Sequence, residues 1–217
     1  MKLKHITTIF FLSTGLAYGE TIDILGQKLN FKNPYGYCTL GGSQRERDLS
    51  NISMPPNAPF RIIHFAALCN ELEDYKNGVT EGIDHWLQIQ LLGPNGIFKK
   101  VDTNKESFLT GVAKKSPIVN TTELMQRINS ALTGLDRSVS NIQIIPLGRD
   151  NNAVYFSQQS VARIGSSSRT VTSILGVTLA NSLPISVVVN EGIGTEESKK
   201  QLQATLLQTL ISITTKN

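Results

Sequence analysis

Few residues of this sequence belong to types that carry chemistry, and the two cysteines, Cys38 and Cys69, are the first of them. A thiol that pairs in space with His64 or His85 could act as a nucleophile. In an exported protein, an even and minimal number of cysteines favours a structural bridge instead. The Cys-x-x-Cys spacing of a redox pair is missing. We therefore predict a disulfide between Cys38 and Cys69, and a nucleophilic cysteine is the alternative.

The same two histidines, His64 and His85, could bind a metal ion together with Asp84 or Glu71. A metal site needs three or four converging ligands, and neither His-x-His nor His-x-x-x-His spacing is present. The acidic residues within 71–74 lack the ligand rhythm of a calcium loop. His85 falls on the apolar side of a strand pattern, which predicts a partly buried, hydrogen-bonded side chain. We predict no metal and no cofactor.

Gly165–Arg169 is a serine-rich segment whose backbone N–H groups could hold an anion, with Arg169 adding positive charge. It lies between two strand patterns and lacks the glycine and lysine spacing of a phosphate-binding loop. A hairpin connection is the favoured interpretation. No Gly-x-Ser-x-Gly elbow of a serine hydrolase occurs. The sequence identifies no catalytic residues, and the lack of a catalytic motif favours a protein that is not an enzyme.

Lysines are concentrated in one region and are offset there by Asp102 and Glu106. The members of this group are Lys99, Lys100, Lys105, Lys114 and Lys115. They could contact anionic lipid or an acidic partner, but strong attraction to a membrane surface needs a denser cluster. The whole chain carries a net charge of +4, which gives no indication of nucleic-acid binding.

Trp86 is an aromatic residue that either marks a partner surface or is covered by a helix. It lies on the polar side of the strand pattern Ile83–Leu92, opposite Leu87 and Ile89. An exposed tryptophan there would mark a partner surface, because aromatic anchors contribute strongly to interfaces. The other interpretation is a helix that covers the ring, which is favoured because both faces of a sheet need protection.

The amino terminus has the three parts of a secretory signal in the expected order. Lys2 and Lys4 give a positive start, and Ile6–Ala17 is mostly apolar. Ala17-Tyr18-Gly19 then supplies small residues for a peptidase, which predicts a cut before Glu20. The signal contains two lysines and no acidic residue, so its removal lowers the net charge from +4 to +2. We predict a signal peptide over 1–19, a single domain over 20–217, a periplasmic or secreted location, and no transmembrane anchor after cleavage.

After the signal, the sequence predicts a series of strands and helices. Two short strands, Thr21–Leu25 and Lys28–Lys32, form a hairpin, and Gln44–Asn51 is a short surface helix. The further strand patterns are 61–69, 83–92, 141–147, 153–164, 170–179 and 185–189, with helices from Asn120 and over 195–214. Short connections between the last strands favour antiparallel neighbours. The predicted fold class is α+β, with a mainly antiparallel sheet flanked by helices and a long C-terminal helix.

Two short motifs give the sequence a family resemblance. Pro34–Cys38, a Pro-x-Gly-Tyr-Cys motif, and Ala66–Leu72 resemble segments of small exported bacterial proteins without assigned function. The order of strands and helices resembles the PsbP/Mog1-like α-β-α sandwich. The resemblance implies a periplasmic accessory or binding domain and brings no set of catalytic residues onto this sequence.

Three hypotheses for function follow. The leading one is an exported, non-enzymatic accessory or binding domain of the bacterial cell envelope, whose partner is an envelope protein or lipid. The first alternative is a hydrolase or transferase with an active site scattered along the sequence. The second is a carrier of a lipid or small apolar ligand, which would need an apolar cavity between sheet and helices.

The export signal predicts a defined amino terminus for the exported protein. Intact-mass analysis and N-terminal sequencing of the protein recovered from outside the cytoplasm should give a chain that starts at Glu20, because the small residues before it are those a signal peptidase reads. A recovered protein that keeps residues 1–19 would contradict this prediction.

Overall fold

The computed structural model describes residues 19–53, 58–93, 96–115, 137–164, 166–192 and 196–214, together with Thr122, Met125, Gln126, Asn129 and Ser130. Its strands are β1 Glu20–Ile24, β2 Gln27–Phe31, β3 Tyr37–Thr39, β4 Phe60–Leu68, β5 His85–Leu92, β6 Arg137–Arg149, β7 Val154–Ile164, β8 Ser167–Ala180 and β9 Leu183–Glu191. Its helices are α1 Gln44–Ile52, α2 Cys69–Lys76, α3 Lys105–Lys115 and α4 Glu196–Thr214.

Seven strands form one sheet in the order β3-β4-β5-β9-β8-β7-β6, and every neighbouring pair is antiparallel. Strands β1 and β2 form a separate hairpin. The hairpin turns at Leu25 and Gly26, both with positive φ, one residue earlier than expected. Two positive φ values in a row match the right-handed twist of the flanking strands. The predicted α+β class is confirmed.

One face of the sheet packs against α4 and the β1–β2 hairpin. The apolar side of β5 lies in this core, as do the neighbouring apolar side chains of β9 and the hairpin residues Leu29 and Phe31. The predicted stripe of the C-terminal helix is buried here, and its members are Leu202, Leu206, Leu210 and Ile213. None of the helices in the described part of the chain has the length and apolar character needed to cross a bilayer.

The opposite face packs against α1, α2 and α3. Phe65 and Ala67 of β4 form a cluster with Leu72 and Tyr75 of α2, and Leu109 of α3 packs on Val154 and Phe156 of β7. Helix α1 begins with a capping box, in which Ser43 and Glu46 bond each other's backbone. The helices therefore cover both faces of the sheet.

Burial of the second face changes the expected pattern of β5. Gln88 and Gln90 occupy polar positions of the alternation, yet both side chains are buried. They satisfy each other there, because the Gln90 amide donates to Gln88 Oε1 at 2.8 Å and the Ser186 hydroxyl donates to Gln90 Oε1 at 3.0 Å. Polar residues on a strand thus do not indicate solvent when a helix layer and a hydrogen-bonded neighbour are both available.

Two details of the sequence interpretation were wrong. Cys69 does not end a strand but begins α2. Simple alternation along 61–69 predicts Ile63 on the same face as Phe65, but a register shift between Ile62 and His64 places Ile63 in the α4 core while Ile62 packs on the α2 side. A β-bulge of this kind adds one residue to one strand and reverses the alternation. The predicted cap of the helix at Asn120 lies outside the described residues, although Thr122, Met125 and Asn129 have helical backbone.

The two edges of the large sheet differ in length. β3 has only three residues, whereas β6 has thirteen and exposes Ile145 and Leu147. The pairing of β6 with β7 is interrupted by register shifts between Ser140 and Gln143 and between Pro146 and Gly148. Pro146 also has no N–H to offer to a further strand.

The predicted disulfide between Cys38 and Cys69 is confirmed. It joins β3 to the first residue of α2, with a Cα–Cα distance of 4.9 Å and a separation of 31 residues along the chain. The described part of the chain contains no free cysteine. A nucleophilic thiol, the alternative considered for either cysteine, is thereby excluded while the bridge is intact.

Replacing both cysteines by serine, Cys38→Ser with Cys69→Ser, should lower the free energy of unfolding by about 3–4 kcal/mol, because the unfolded chain regains the entropy of an open loop. Urea denaturation of the mature protein measures this loss. A reductant should destabilise the wild type by a similar amount and leave the double variant unchanged. Equal stability of the two proteins without reductant would contradict the prediction.

Candidate functional site

Polar side chains from three neighbouring strands meet at one end of the sheet. His85, Glu191 and Thr172 are direct cross-strand partners on β5, β9 and β8, so their side chains share a face. Tyr37 of β3 and Glu71 of α2 complete the group. We call these five residues the sheet-end cluster.

His85 lies between two carboxylates in this cluster. Its Nδ1 is 2.5 Å from Glu71 Oε1, and its Nε2 is 3.5 Å from Glu191 Oε1. The other oxygen of Glu71 accepts the backbone N–H groups of Asp84 and His85, each at 2.8 Å. Glu71 therefore fixes both the start of β5 and the orientation of the imidazole ring. With about a third of its side chain exposed (34%), His85 is open to a binding partner.

Glu191 is the unusual member of the cluster, because its Oε2 is buried and has no hydrogen-bond partner among the residues that the structure describes. Only 10% of its side chain is exposed. Its neighbour Thr172 also has a buried hydroxyl oxygen that bonds no residue in the described part of the chain. Buried polar atoms are nearly always paired. Two acceptors of the cluster therefore have no donor among the described residues.

The nearby Tyr37 phenol stays protonated at every physiological pH. Burial, together with the negative charges of Glu71 and Glu191, raises the pKa of Tyr37 to about 12. The cluster thus combines two carboxylates, one imidazole and one neutral phenol. This set can bind donors and exchange protons, but it contains no activated nucleophile.

A charged group lies at the same end of the sheet on its other face and is formed by Asp84, Trp86 and Arg169. Arg169 Nη1 is 2.7 Å from Asp84 Oδ1, and its Nη2 donates to the carbonyl of Ile83 at 3.1 Å. The guanidinium carbon lies 5.6 Å from the centre of the Trp86 ring, within the range of a cation–π contact. Gly192 permits this arrangement, since a Cβ there would be 2.8 Å from Asp84 Oδ1. We call these three residues the Trp86 rim.

Trp86 itself is half-buried. Its ring packs against the cluster that contains Phe65, Leu72 and Tyr75, so α2 covers part of it as favoured from the sequence. The remaining surface adjoins the exposed portions of Arg169 and Asp84. Its role as a partner surface stays a prediction.

The structure brings together most of the candidates singled out in the sequence. His85, Glu71, Asp84, Trp86 and Arg169 all lie in the cluster or its rim. Sequence reasoning missed three further members. These are Tyr37, Thr172 and Glu191, and only the strand register shows that they are neighbours of His85.

The proposed anion loop is only partly visible, because Gly165 lies outside the described residues. Arg169 does not close that loop over an anion but turns to Asp84 and Trp86. Where side chains are described, no three His, Cys, Asp or Glu residues are placed to hold a metal ion together.

His64 lies apart from the sheet-end cluster in a second polar group. Its Nε2 is 2.7 Å from Asn33 Oδ1, and its Nδ1 is 3.3 Å from Glu20 Oε2. The Asn33 amide donates to Thr39 Oγ1 at 2.8 Å, and the Thr39 hydroxyl donates to Glu20. His64 is buried beneath this group, with the Phe31 ring 4.5 Å away between centroids. This histidine is structural, tying β4 to the hairpin.

Burial lowers the pKa of His64, and the Glu20 carboxylate opposes that shift. The unfolded chain therefore binds a proton before the folded protein does as the pH falls. The contribution of His64 to stability should be complete above about pH 6.5 and should be lost as the pH falls through that value. Urea denaturation measures the free energy of unfolding at about pH 7.5 and at about pH 5.5. The decrease of this free energy between the two pH values should be smaller for His64→Gln than for the wild type. An identical decrease in the two proteins would rule out a contribution of His64 to the pH dependence of stability.

No family model matches the sequence, and no curated protein matches it. Among solved structures, the chain is similar to the solution structure of cyanobacterial PsbP (CyanoP) from Synechocystis sp. PCC 6803, with 14% sequence identity and a TM-score of 0.44. The alignment covers 92% of this chain and 94% of that chain. A similarity of this extent supports no statement about fold family, function or site residues. Membership in the group with the Pro-x-Gly-Tyr-Cys motif stays a prediction.

Proposed function

We propose that the chain is an exported accessory domain of the bacterial cell envelope that binds a protein partner and is not itself an enzyme. In this proposal residues 1–19 are removed, and residues 20–217 act in the periplasm or outside the cell. The contact surface is the sheet-end cluster with the Trp86 rim. The disulfide supports an oxidising location, since such bridges persist outside the cytoplasm.

The observation that carries the proposal is the buried Glu191 Oε2, for which the described residues supply no donor. A buried charged acceptor without a donor costs about 1–3 kcal/mol or more. The Glu191 side chain is 10% exposed, and a rotation of its carboxylate on binding would let an N–H or ammonium group of a partner remove that cost. Trp86 and Arg169, at the same end of the sheet on its other face, are of the residue types that contribute most to interfaces.

The hydrolase or transferase alternative has less support from the same geometry. His85 could move a proton, but a group transfer also needs a nucleophile next to it. Both sulfurs are held in the bridge. The aliphatic hydroxyl of the cluster, Thr172 Oγ1, is buried and bonds neither His85 nor any other described residue. Nothing at the cluster therefore resembles a nucleophile and base pair.

A photo-crosslinking amino acid at the exposed Ser168, close in sequence to Arg169, should capture one envelope protein in the cells that export this chain. The same group at Gln203, on the outer side of α4, is the matched control and should not capture it. Adding Glu191→Gln should reduce the Ser168 crosslink about tenfold, because a hydrogen bond to a charged group contributes about 1.5–3 kcal/mol.

Circular dichroism and thermal melting of the Glu191→Gln protein control for folding. Trp86→Ala provides an independent loss of the same crosslink. Crosslinks of equal yield at Ser168 and Gln203, or a Ser168 product that Glu191→Gln and Trp86→Ala both leave unchanged, would refute the proposal.

A further inference from the structure

A groove of about 240 Å³ lies at the other end of the sheet, between the β1–β2 hairpin, β4 and the segment 96–100. It is distinct from the sheet-end cluster and shares no residue with it. Apolar side chains form most of its surface, and two charged residues border it. Its lining residues are Ile22, Asp23, Ile24, Leu25, Arg61, Ile62, Ile63, Leu91 and Phe98.

The turn between β8 and β9 holds both walls of the groove in place. The side-chain amide of Asn181 donates to the carbonyl of Lys28 at 2.9 Å, which fixes the hairpin. The backbone N–H of Val101 donates to the carbonyl of Ser182 at 2.8 Å, which fixes the segment that follows Phe98. The groove is therefore part of the fold and is not formed by loose loops.

Gly93 places the Phe98 ring at the groove. A Cβ at Gly93 would lie 2.5 Å from Phe98 Cδ1 and 2.8 Å from the Ile97 carbonyl oxygen. Any larger residue would push the ring and its backbone away. The backbone N–H of Gly93 also donates to the Pro59 carbonyl at 2.9 Å, so the glycine cannot move aside freely.

Leu25 is an unusual residue for its backbone position. Its φ is 53°, in the left-handed region, where asparagine or glycine is the common choice of a two-residue hairpin turn. The conformation costs a β-carbon residue about 1–2 kcal/mol. The leucine side chain lines the groove and is 47% exposed. The strained turn therefore keeps an apolar side chain at the groove surface and does not bury it in the core.

The charge around the groove is mainly positive. Arg61 is exposed at its border, and its guanidinium has neither a hydrogen bond nor an ion pair with any described residue. Lys99 and Lys100 directly follow Phe98 and are also exposed. Asp23 is the one acidic residue of the lining. An apolar surface next to an unpaired arginine is complementary to a ligand with an alkyl chain and a carboxylate.

We propose that this groove binds a small aliphatic carboxylate, with the alkyl chain on the apolar floor and the carboxylate on Arg61. Arginine presents a planar fork of donors that matches a carboxylate in a bidentate way. The volume corresponds to about eight water molecules, at about 30 Å³ each, and lies below the range of about 300–1,000 Å³ found for drug-sized ligands. One short acyl chain fits such a groove, whereas a two-chain lipid does not.

The test is titration of the ¹⁵N-labelled mature protein with sodium octanoate, and with octan-1-ol as the analogue without a carboxylate. Octanoate should shift the amide signals of Leu25, Ile62 and Phe98 and should bind at least about fivefold more tightly than the alcohol, because it alone pairs with Arg61. Arg61→Gln should weaken octanoate binding about tenfold and leave octanol binding unchanged. Asp23→Asn should strengthen octanoate binding, since it removes the opposing charge.

Lys114→Gln is the matched control, because it removes one exposed positive charge on α3, away from the groove lining. It should leave octanoate binding unchanged. Trp86→Ala should also have no effect, which separates this proposal from the function proposed for the sheet-end cluster. The proposal is overturned if Arg61→Gln binds octanoate as tightly as the wild type does, or if the shifted signals lie outside the groove. It is also overturned if phosphatidylglycerol vesicles bind at the groove and octanoate does not.

Discussion

The antiparallel register between β5 and β9 is the constraint on which the rest of the structure depends. These strands lie in the interior of the seven-stranded sheet, and helices or the hairpin cover both of their faces. A slip of one residue would move Leu87 and Ile89 out of the core that α4 and the hairpin cover and would place Gln88 in that core. The same register sets His85 opposite Glu191. The alignment that buries the apolar core therefore also assembles the polar cluster.

The disulfide extends this constraint to the edge of the sheet. It fixes the first turn of α2 against β3, and Glu71 lies two residues after Cys69. The Glu71 carboxylate then bonds the first backbone N–H groups of β5 and the ring of His85. A covalent bond made for stability thus also limits the positions that the histidine can adopt.

Local patterns were sufficient for part of this structure. Strand alternation gave β5 and β7–β9, helical spacing gave the buried stripe of α4, and the count of cysteines gave the bridge. Local patterns do not contain the order of strands in the sheet, because pairing joins segments that are far apart in sequence. For this reason Glu191 and Thr172 could not be recognised as neighbours of His85.

The switch from strand to helix at Cys69 was missed for a related reason. The disulfide and the packing of Leu72 and Tyr75 stabilise that helix, and both are tertiary effects.

The two edges of the large sheet determine whether copies of the protein can associate through their strands. A long, regular edge with exposed apolar side chains is a template on which a second chain can add its own strand. β6 is long enough to be such a template, with thirteen residues, and it exposes Ile145 and Leu147. Its proline and its two register shifts, however, interrupt the row of backbone donors and acceptors. β3 is too short to serve as a template. The protein can therefore keep apolar side chains on its surface without offering a continuous backbone ladder for filament growth.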